Sequence, residues 1–432
     1  MGGEKLVRTQ GGLIKARIFA DPGVYALERE RVFGQTWLHV AHESEIPRPG
    51  DFVTRSMGED PVIVVRGRDG KVRVLLNICR HRGRRLCAED CGNTTHFQCP
   101  YHGWTYTNEG QLTGVPFFEE YAGRLDKDEF GLFEIANVQS YRGLIFAAAN
   151  PPPSAPDLET YLGGMRWLLD LLLGRTEAVE VVGPPMRWLV DANWKLAAGN
   201  FAGDGHHLAT THGFPGALGL KPTRTNRRAY ALQLGNGHVG SVAAFSQAGA
   251  DLRYLALPQD VWPEIEQRLE PAQVDVLRSA QLVAGNIFPN LSFLNTASHV
   301  PGEWGGPDDL AISFLTFRQW QPRGPDKMEV WSWLYVDRSA PDWWKEASRT
   351  CYLRVFGAAG MFEQDDLENW AEINEGLRGP LGQQLWLHYG MGLDDQPITD
   401  WPGPGVAYQH QHTLGEINER TFYAEWARLT QV

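Results

Sequence analysis

The chain has 432 residues, of which 43% are apolar and 21% charged, and a net charge of −12. These values describe a folded protein with room for two or more cores and exclude a disordered chain. The acidic balance excludes nucleic acid as the main partner, because phosphate binding needs a basic surface.

The segment Met1–Leu6 carries no apolar signal core, and Leu6 stands where a myristoylation motif needs Ser or Thr. No apolar run approaches the ~20 residues that span a bilayer. The five cysteines do not read as a disulfide framework. A reducing, cytoplasmic setting away from membranes is therefore expected.

Residues 21–37 read as a helix, with Asp21 as cap, Pro22 in the first turn and Leu27, Val32 and Phe33 as an apolar stripe. From Phe52 the period becomes two. Val62–Val65 and Val72–Leu76 flank Arg68-Asp69-Gly70, which predicts a hairpin. Next comes Cys79-Arg80-His81, and after seventeen residues Cys99-Pro100-Tyr101-His102. Strands are expected near Trp104–Tyr106, Leu132–Ile135 and Leu144–Ala147, with a turn at Asn108-Glu109-Gly110. Residues 38–150 thus form a small antiparallel β domain, closed by Asn150-Pro151-Pro152-Pro153.

Residues 1–37 and 151–432 make up a larger α+β domain, an antiparallel sheet flanked by helices. A Leu-rich helix is expected over Leu158–Leu173, a strand over 186–191, and a helix from Asn193. The Gly- and Ala-rich region 213–262 reads as long loops or a lid. Strands follow at Ile287–Leu294, Leu310–Phe317 and Val330–Val336, then a helix from Ala358 to about Glu375. An aromatic helix around Phe422–Trp426 closes the chain.

The two mixed clips offer two thiolates and two imidazoles, Cys79, His81, Cys99 and His102. That set fits a Rieske [2Fe–2S] cluster, one iron held by two Cys and the other by two His. Neutral imidazoles lower the cluster's negative charge, so it accepts an electron readily and suits an electron relay. A Cys2His2 zinc site is the alternative, though zinc fingers usually pair Cys with Cys and His with His. Cys87 and Cys91 read as free thiols and Cys351 as a small buried residue.

The receiving end of such a relay is sought in Asn200–His212, which holds Asp204, His206, His207 and His212. Two His and one carboxylate on one face of a metal make the non-haem Fe(II) triad. His207 and His212 are five apart, roughly 140° on a regular helix, so the segment must be broken for both to reach one ion. Gly203 and Gly205 ease such a break. The carboxylate is expected at Asp366, which shares a helix face with Phe362 and Trp370. Asp365 competes, while Glu363 and Glu368 are expected to be solvated.

Taken together, Cys-Arg-His-Arg-Gly, Cys-Pro-Tyr-His-Gly-Trp, Asn193-Trp194-Lys195, Asn200–His212 and Phe362–Asp366 resemble the catalytic α subunit of the Rieske non-haem iron aromatic-ring-hydroxylating dioxygenases. The resemblance covers nearly the whole chain. It implies cluster binding by Cys79, His81, Cys99 and His102, and mononuclear iron at His207, His212 and Asp366. It implies that Asp204 hydrogen-bonds an iron-ligand His and a cluster-ligand His of a neighbouring subunit. The working unit would be a ring of three α subunits, α3 or α3β3. Asn200, Phe201, Phe356 and Phe362 would line the substrate pocket, with 290–295 as another wall. The implied reaction places both atoms of O2 into an aromatic ring to give a cis-dihydrodiol. Electrons would come from NADH through a reductase and a ferredoxin. A Rieske monooxygenase or demethylase is the alternative, and a pure electron carrier a further one. The chain departs from the family at His206, commonly Tyr, and at Gly199, often Glu. Arg80, Arg82, Arg84 and Arg85 surround the first clip and either dock an acidic ferredoxin or pair with carboxylates.

Overall fold

The computed structural model describes residues 5–213, 227–245, 250–300, 310–410 and 415–432. It divides into two compact units, Arg29–Leu158 and a second that joins the N-terminal segment through Glu28 to Glu159–Val432.

The smaller unit is built from short antiparallel sheets. One has four strands, Val72–Leu76, Asp60–Arg66, Asp51–Met57 and Cys91–Asn93 in that order. Its first pair is the expected hairpin, Val62 facing Leu76 and Val64 facing Val74. A second sheet, Leu112–Gly114, Thr105–Thr107 and His96–Gln98, carries the second clip. Phe52, Ile63, Val65, Leu75, Phe97, Trp104 and Tyr106 form one buried cluster with Cys79 and Cys99. Leu132–Ile135 is not a strand. Leu132 and Ile135 are buried as plugs from a loop, with only Glu134 bridging to Leu75, and the strand that follows is Asn137–Tyr141.

The larger unit is organised on a nine-stranded antiparallel sheet. Val179–Val181 and Met186–Val190 both pair with Met328–Asp337. The sheet then runs through Leu310–Pro322, Leu291–Val300, Ala280–Ile287, His238–Phe245 and Arg227–Gly235 to Val406–His410. The helix Trp194–Gly203 lies on strands of this sheet, capped by the Asn193 side chain, which accepts from Lys195 N–H at 3.0 Å.

Several expectations are corrected here. The hairpin Arg227–Gly235/His238–Phe245 occupies ground expected to be loops or a lid, while residues 214–226 and 246–249 of that region lie outside the described residues. Its small residues serve packing. A Cβ on Gly240 would stand 2.5 Å from Leu168 Cδ1 of the helix Met165–Leu173. Ile287–Leu294 is two strands, because the peptide around Pro289 turns the chain and Pro has no N–H for a ladder. The Leu-rich helix is interrupted at Gly163-Gly164, where Gly163 takes φ +51°. Near the N-terminus the α-helix spans only Pro22–Leu27 and widens into a π-helical stretch over Glu28–Phe33. The helix expected from Ala358 begins at Met361, and a separate helix, Asp342–Phe356, precedes it.

No helix among the described residues is long and apolar enough to cross a membrane.

Candidate metal centres

In the smaller unit the two clips close the same way. Cys79 N–H donates to Arg84 O at 2.8 Å and Gly83 N–H to Cys79 O at 2.9 Å; Cys99 N–H donates to Trp104 O at 2.8 Å and Gly103 N–H to Cys99 O at 2.9 Å. Gly83 and Gly103 sit at φ +75° and +72°, the left-handed turn that only glycine adopts cheaply. Two matching loops thus bring the two clips side by side. The His81 and His102 rings lie 4.6 Å apart, and His81 stacks on Trp104 at 4.9 Å with a 4° interplanar angle.

The donor set fits a [2Fe–2S] cluster. Cys79 and Cys99 are buried against one another, and burial pushes the Cys79 thiol up, with Cys99 adding to the rise. Two such thiolates need cationic charge between them. His81 Nδ1 is buried with no protein partner, as a ligating nitrogen would be. Tyr106 hydroxyl lies 3.5 Å from Cys79 Sγ and accepts from Arg80 N–H at 3.1 Å, fixing the first loop.

All five cysteines are free. Cys87 is buried and its thiol is pushed up to about 12, chiefly by burial and by the Glu89 carboxylate 3.2 Å away. Cys91 is exposed on a strand edge. Arg80, Arg82, Arg84 and Arg85 are all exposed; Arg80 donates to Gly131 O, Arg84 to Arg85 O and Arg85 to Cys87 O.

In the larger unit the helix Trp194–Gly203 ends at Asp204, and a 3-10 turn, His207–Ala209, carries the next histidine. The break anticipated between His207 and His212 is there. It brings their rings to 4.9 Å. His207 Nε2 lies 3.7 Å and His212 Nε2 3.2 Å from Asp366 Oδ1. One ligand atom of each residue lies within 4.8 Å of the others. Each imidazole turns Nε2 to this point and Nδ1 to a second carboxylate. His207 Nδ1 is 3.3 Å from Asp204 Oδ2, and His212 Nδ1 is 3.5 Å from Asp365 Oδ2. Asp204, so placed, holds a ligating imidazole in one tautomer and orientation. The second contact lacks hydrogen-bond alignment. The donor set, two nitrogens and one carboxylate oxygen, is that of a non-haem iron triad.

Asp204 Oδ1 also accepts from His206 N–H at 3.0 Å and His207 N–H at 3.3 Å. Burial pushes this carboxyl up, but the His207 ring and these N–H groups outweigh it and hold it below the ordinary range. Asn200 Nδ2 lies 3.5 Å from His207 Nδ1. His206 is exposed and outside the trio, and a Cβ on Gly199 would stand 3.1 Å from the Tyr423 hydroxyl.

A run of aromatic rings begins beside the trio. Phe362 lies 4.6 Å from His212, Phe356 lies 5.9 Å from Phe362, and Phe201 lies 6.4 Å from Phe356 and 5.1 Å from Trp320. Phe362, Asp366 and Trp370 are all buried, as their shared helix face predicts. Glu363 is the correction. Expected to be solvated, it is fully buried and paired with Arg318, itself fully buried. Only the fold reveals that partner, which comes from the strand Leu310–Pro322. Glu368 is exposed as expected. A cavity of about 660 Å³ between Lys5–Val7, Gly23–Leu27 and the end of the C-terminal helix contains none of these residues.

Residues 36–141 match the Rieske [2Fe-2S] domain, and residues 158–431 match the ring hydroxylating alpha subunit (catalytic domain). Biphenyl dioxygenase subunit alpha of Paraburkholderia xenovorans is 40% identical over 98% of this chain and 92% of its own. N,N-dimethyl phenylurea N-demethylase subunit alpha of a Sphingobium species is 38% identical over 96% of this chain and 91% of its own. The crystal structure of naphthalene 1,2-dioxygenase from a Rhodococcus species, bound to indole, superposes with a TM-score of 0.89 at 42% identity, covering 97% of this chain and 94% of that one. The chain belongs to the Rieske-type ring-hydroxylating oxygenase α subunits, a family of oxidoreductases.

Proposed function

We propose that this subunit inserts both atoms of O2 into an aromatic ring, mono- or polycyclic, to give a cis-dihydrodiol. One observation carries the reading. His207, His212 and Asp366 converge, and Phe362 lies against His212 at the start of a run of rings through Phe356 to Phe201, which supports a three-ligand site beside an apolar aromatic wall. A face with three protein ligands leaves positions for oxygen and substrate, and aromatic walls suit a neutral hydrocarbon ring.

His207, His212 and Asp366 would hold mononuclear iron, and Cys79, His81, Cys99 and His102 the cluster. The bound metals supply oxygen activation and one-electron transfer. The chain's own residues bind, orient and exclude water. Asp204 orients the His207 imidazole, and the Phe rings place the arene and keep bulk water from the trio. Asn200 stands beside His207 at the edge of that wall.

Electrons would pass from NADH through a reductase and a ferredoxin. Exposed Arg82 and Arg84 offer an acidic ferredoxin a basic rim beside the first clip. The working assembly is α3 or α3β3, in which Asp204 faces His102 of a neighbouring subunit. Asp204 keeps partial exposure while holding His207, as a bridging residue requires.

A second reading is N-demethylation of an aryl N-methyl compound, favoured by the 38% identity to the phenylurea N-demethylase subunit. Incubating the reconstituted system with a panel of arenes and an N,N-dimethyl phenylurea tests both. Cis-diols from the arenes support the first reading, and formaldehyde from the urea without diols supports the second.

A further inference from the structure

Arg318 lies on the strand Leu310–Pro322 and is fully buried. A guanidinium in such a place is held by specific partners or not at all. Its Nη1 donates to Glu363 Oε2, and its Nη2 donates to the Phe356 carbonyl. Phe356 ends the helix Asp342–Phe356, whose terminal carbonyls lack intrahelical donors and favour a cation. Glu363 lies in the first turn of the helix Met361–Leu377, three residues before Asp366. One side chain therefore ties the end of one helix to the start of the next across Gly357–Gly360.

The same guanidinium touches the aromatic wall. Its Cζ lies 4.9 Å from the Phe356 ring centroid and 5.4 Å from that of Phe201. Phe362 is the residue before its carboxylate partner. A buried ion pair rarely improves stability over an apolar pair of similar volume; what it adds is direction. Met and Leu would fill this space without fixing where the rings stand.

We propose that Arg318, locked by Glu363, is a positioning residue that decides which carbons of the substrate face the His207–His212–Asp366 trio, by holding the Phe201 and Phe356 rings in place. The inference rests on the arene-oxidising reading above and adds the device that sets its regiochemistry.

The test uses the reconstituted holoenzyme with biphenyl as probe. Arg318→Met and Glu363→Leu are introduced together, so that no buried charge is left unpaired. The variant is expected to keep its cluster absorption and iron content. The ratio of 2,3- to 3,4-dihydrodiol should change about fivefold, and hydrogen peroxide released per NADH should rise. Arg318→Lys, which keeps the charge but loses the planar fork, should fall between variant and parent. An unchanged ratio and peroxide yield overturn the proposal, as does loss of iron together with activity, which marks a purely structural role. Crystal structures of parent and double variant decide independently of turnover. The Phe356 ring should move by about 1 Å or more, which is more than packed cores relax without cause, and an unmoved ring overturns the proposal. If the parent forms no diol from biphenyl, the arene reading fails and the crystallographic comparison still decides the role of Arg318.

Discussion

Asp366 Oδ1 stands 3.2 Å from His212 Nε2, although the two residues arrive on elements remote in sequence, one on the helix Met361–Leu377 and one on the loop after Gly203. Without a cation this is merely a buried carboxylate beside two imidazoles. With one it is a ligand set.

Replacing Asp366 with Ala should remove mononuclear iron and abolish turnover while leaving the Rieske visible and EPR spectra intact, because the cluster ligands lie in the other compact unit. Iron analysis and product assay check this. Product formation by the variant would refute the role assigned to Asp366.

Asp204→Asn removes the carboxylate charge 3.3 Å from His207 Nδ1. Loss of a group that orients a metal ligand typically costs about 10- to 100-fold. Turnover should fall by that factor with iron retained, and oxidation of the pre-reduced cluster should slow in parallel. Slow turnover with normal cluster oxidation would show that Asp204 orients His207 but carries no electron.

These sites were legible to different degrees. The clips could be read because four ligands lie within twenty-four residues, Cys79 to His102, and each spacing is local. Asp366 could be read because helical phase sets it between Phe362 and Trp370. Glu363 could not. Its burial depends on Arg318, which arrives on a strand, and no helical period reports a partner across a sheet. The hairpin Arg227–Phe245 was hidden for a related reason. Its strands are rich in Ala and Gly, and Gly240 lies against Leu168 of a helix, so few β-branched residues mark it.

Lys195 and Glu28 form a second fully buried pair, and Glu28 also accepts from Trp194 and Trp426 Nε1, each at 2.9 Å. Lys195→Met leaves Glu28 charged and unpaired. Breaking a buried pair on one side costs about 3–5 kcal/mol, so a markedly lower urea midpoint is expected. Lys195→Met with Glu28→Gln should recover much of the loss, and equal midpoints for the single and double variants would contradict the pairing.

His238 is fully buried. Its Nε2–H donates to Tyr161 O at 2.8 Å, and its Nδ1 accepts from Phe288 N–H at 2.9 Å. Burial lowers it from 6.5 to about 4. The folded state therefore holds it neutral while the unfolded chain protonates below 6.5. Its contribution is fully present above that value and is lost as pH falls towards 4, on the order of 3 kcal/mol in total. His238→Gln should lose less stability than the parent between pH 7 and pH 5, measured by urea midpoints. An identical loss in both proteins would contradict this.

The most direct measurement of the central claim is oxygen labelling. The reconstituted system is given biphenyl under 18O2 and the product is analysed by mass spectrometry. Two labelled oxygens in one cis-diol are predicted. A single labelled oxygen in the product, with the other lost to water, would contradict the claim and leave a monooxygenase or demethylase in its place.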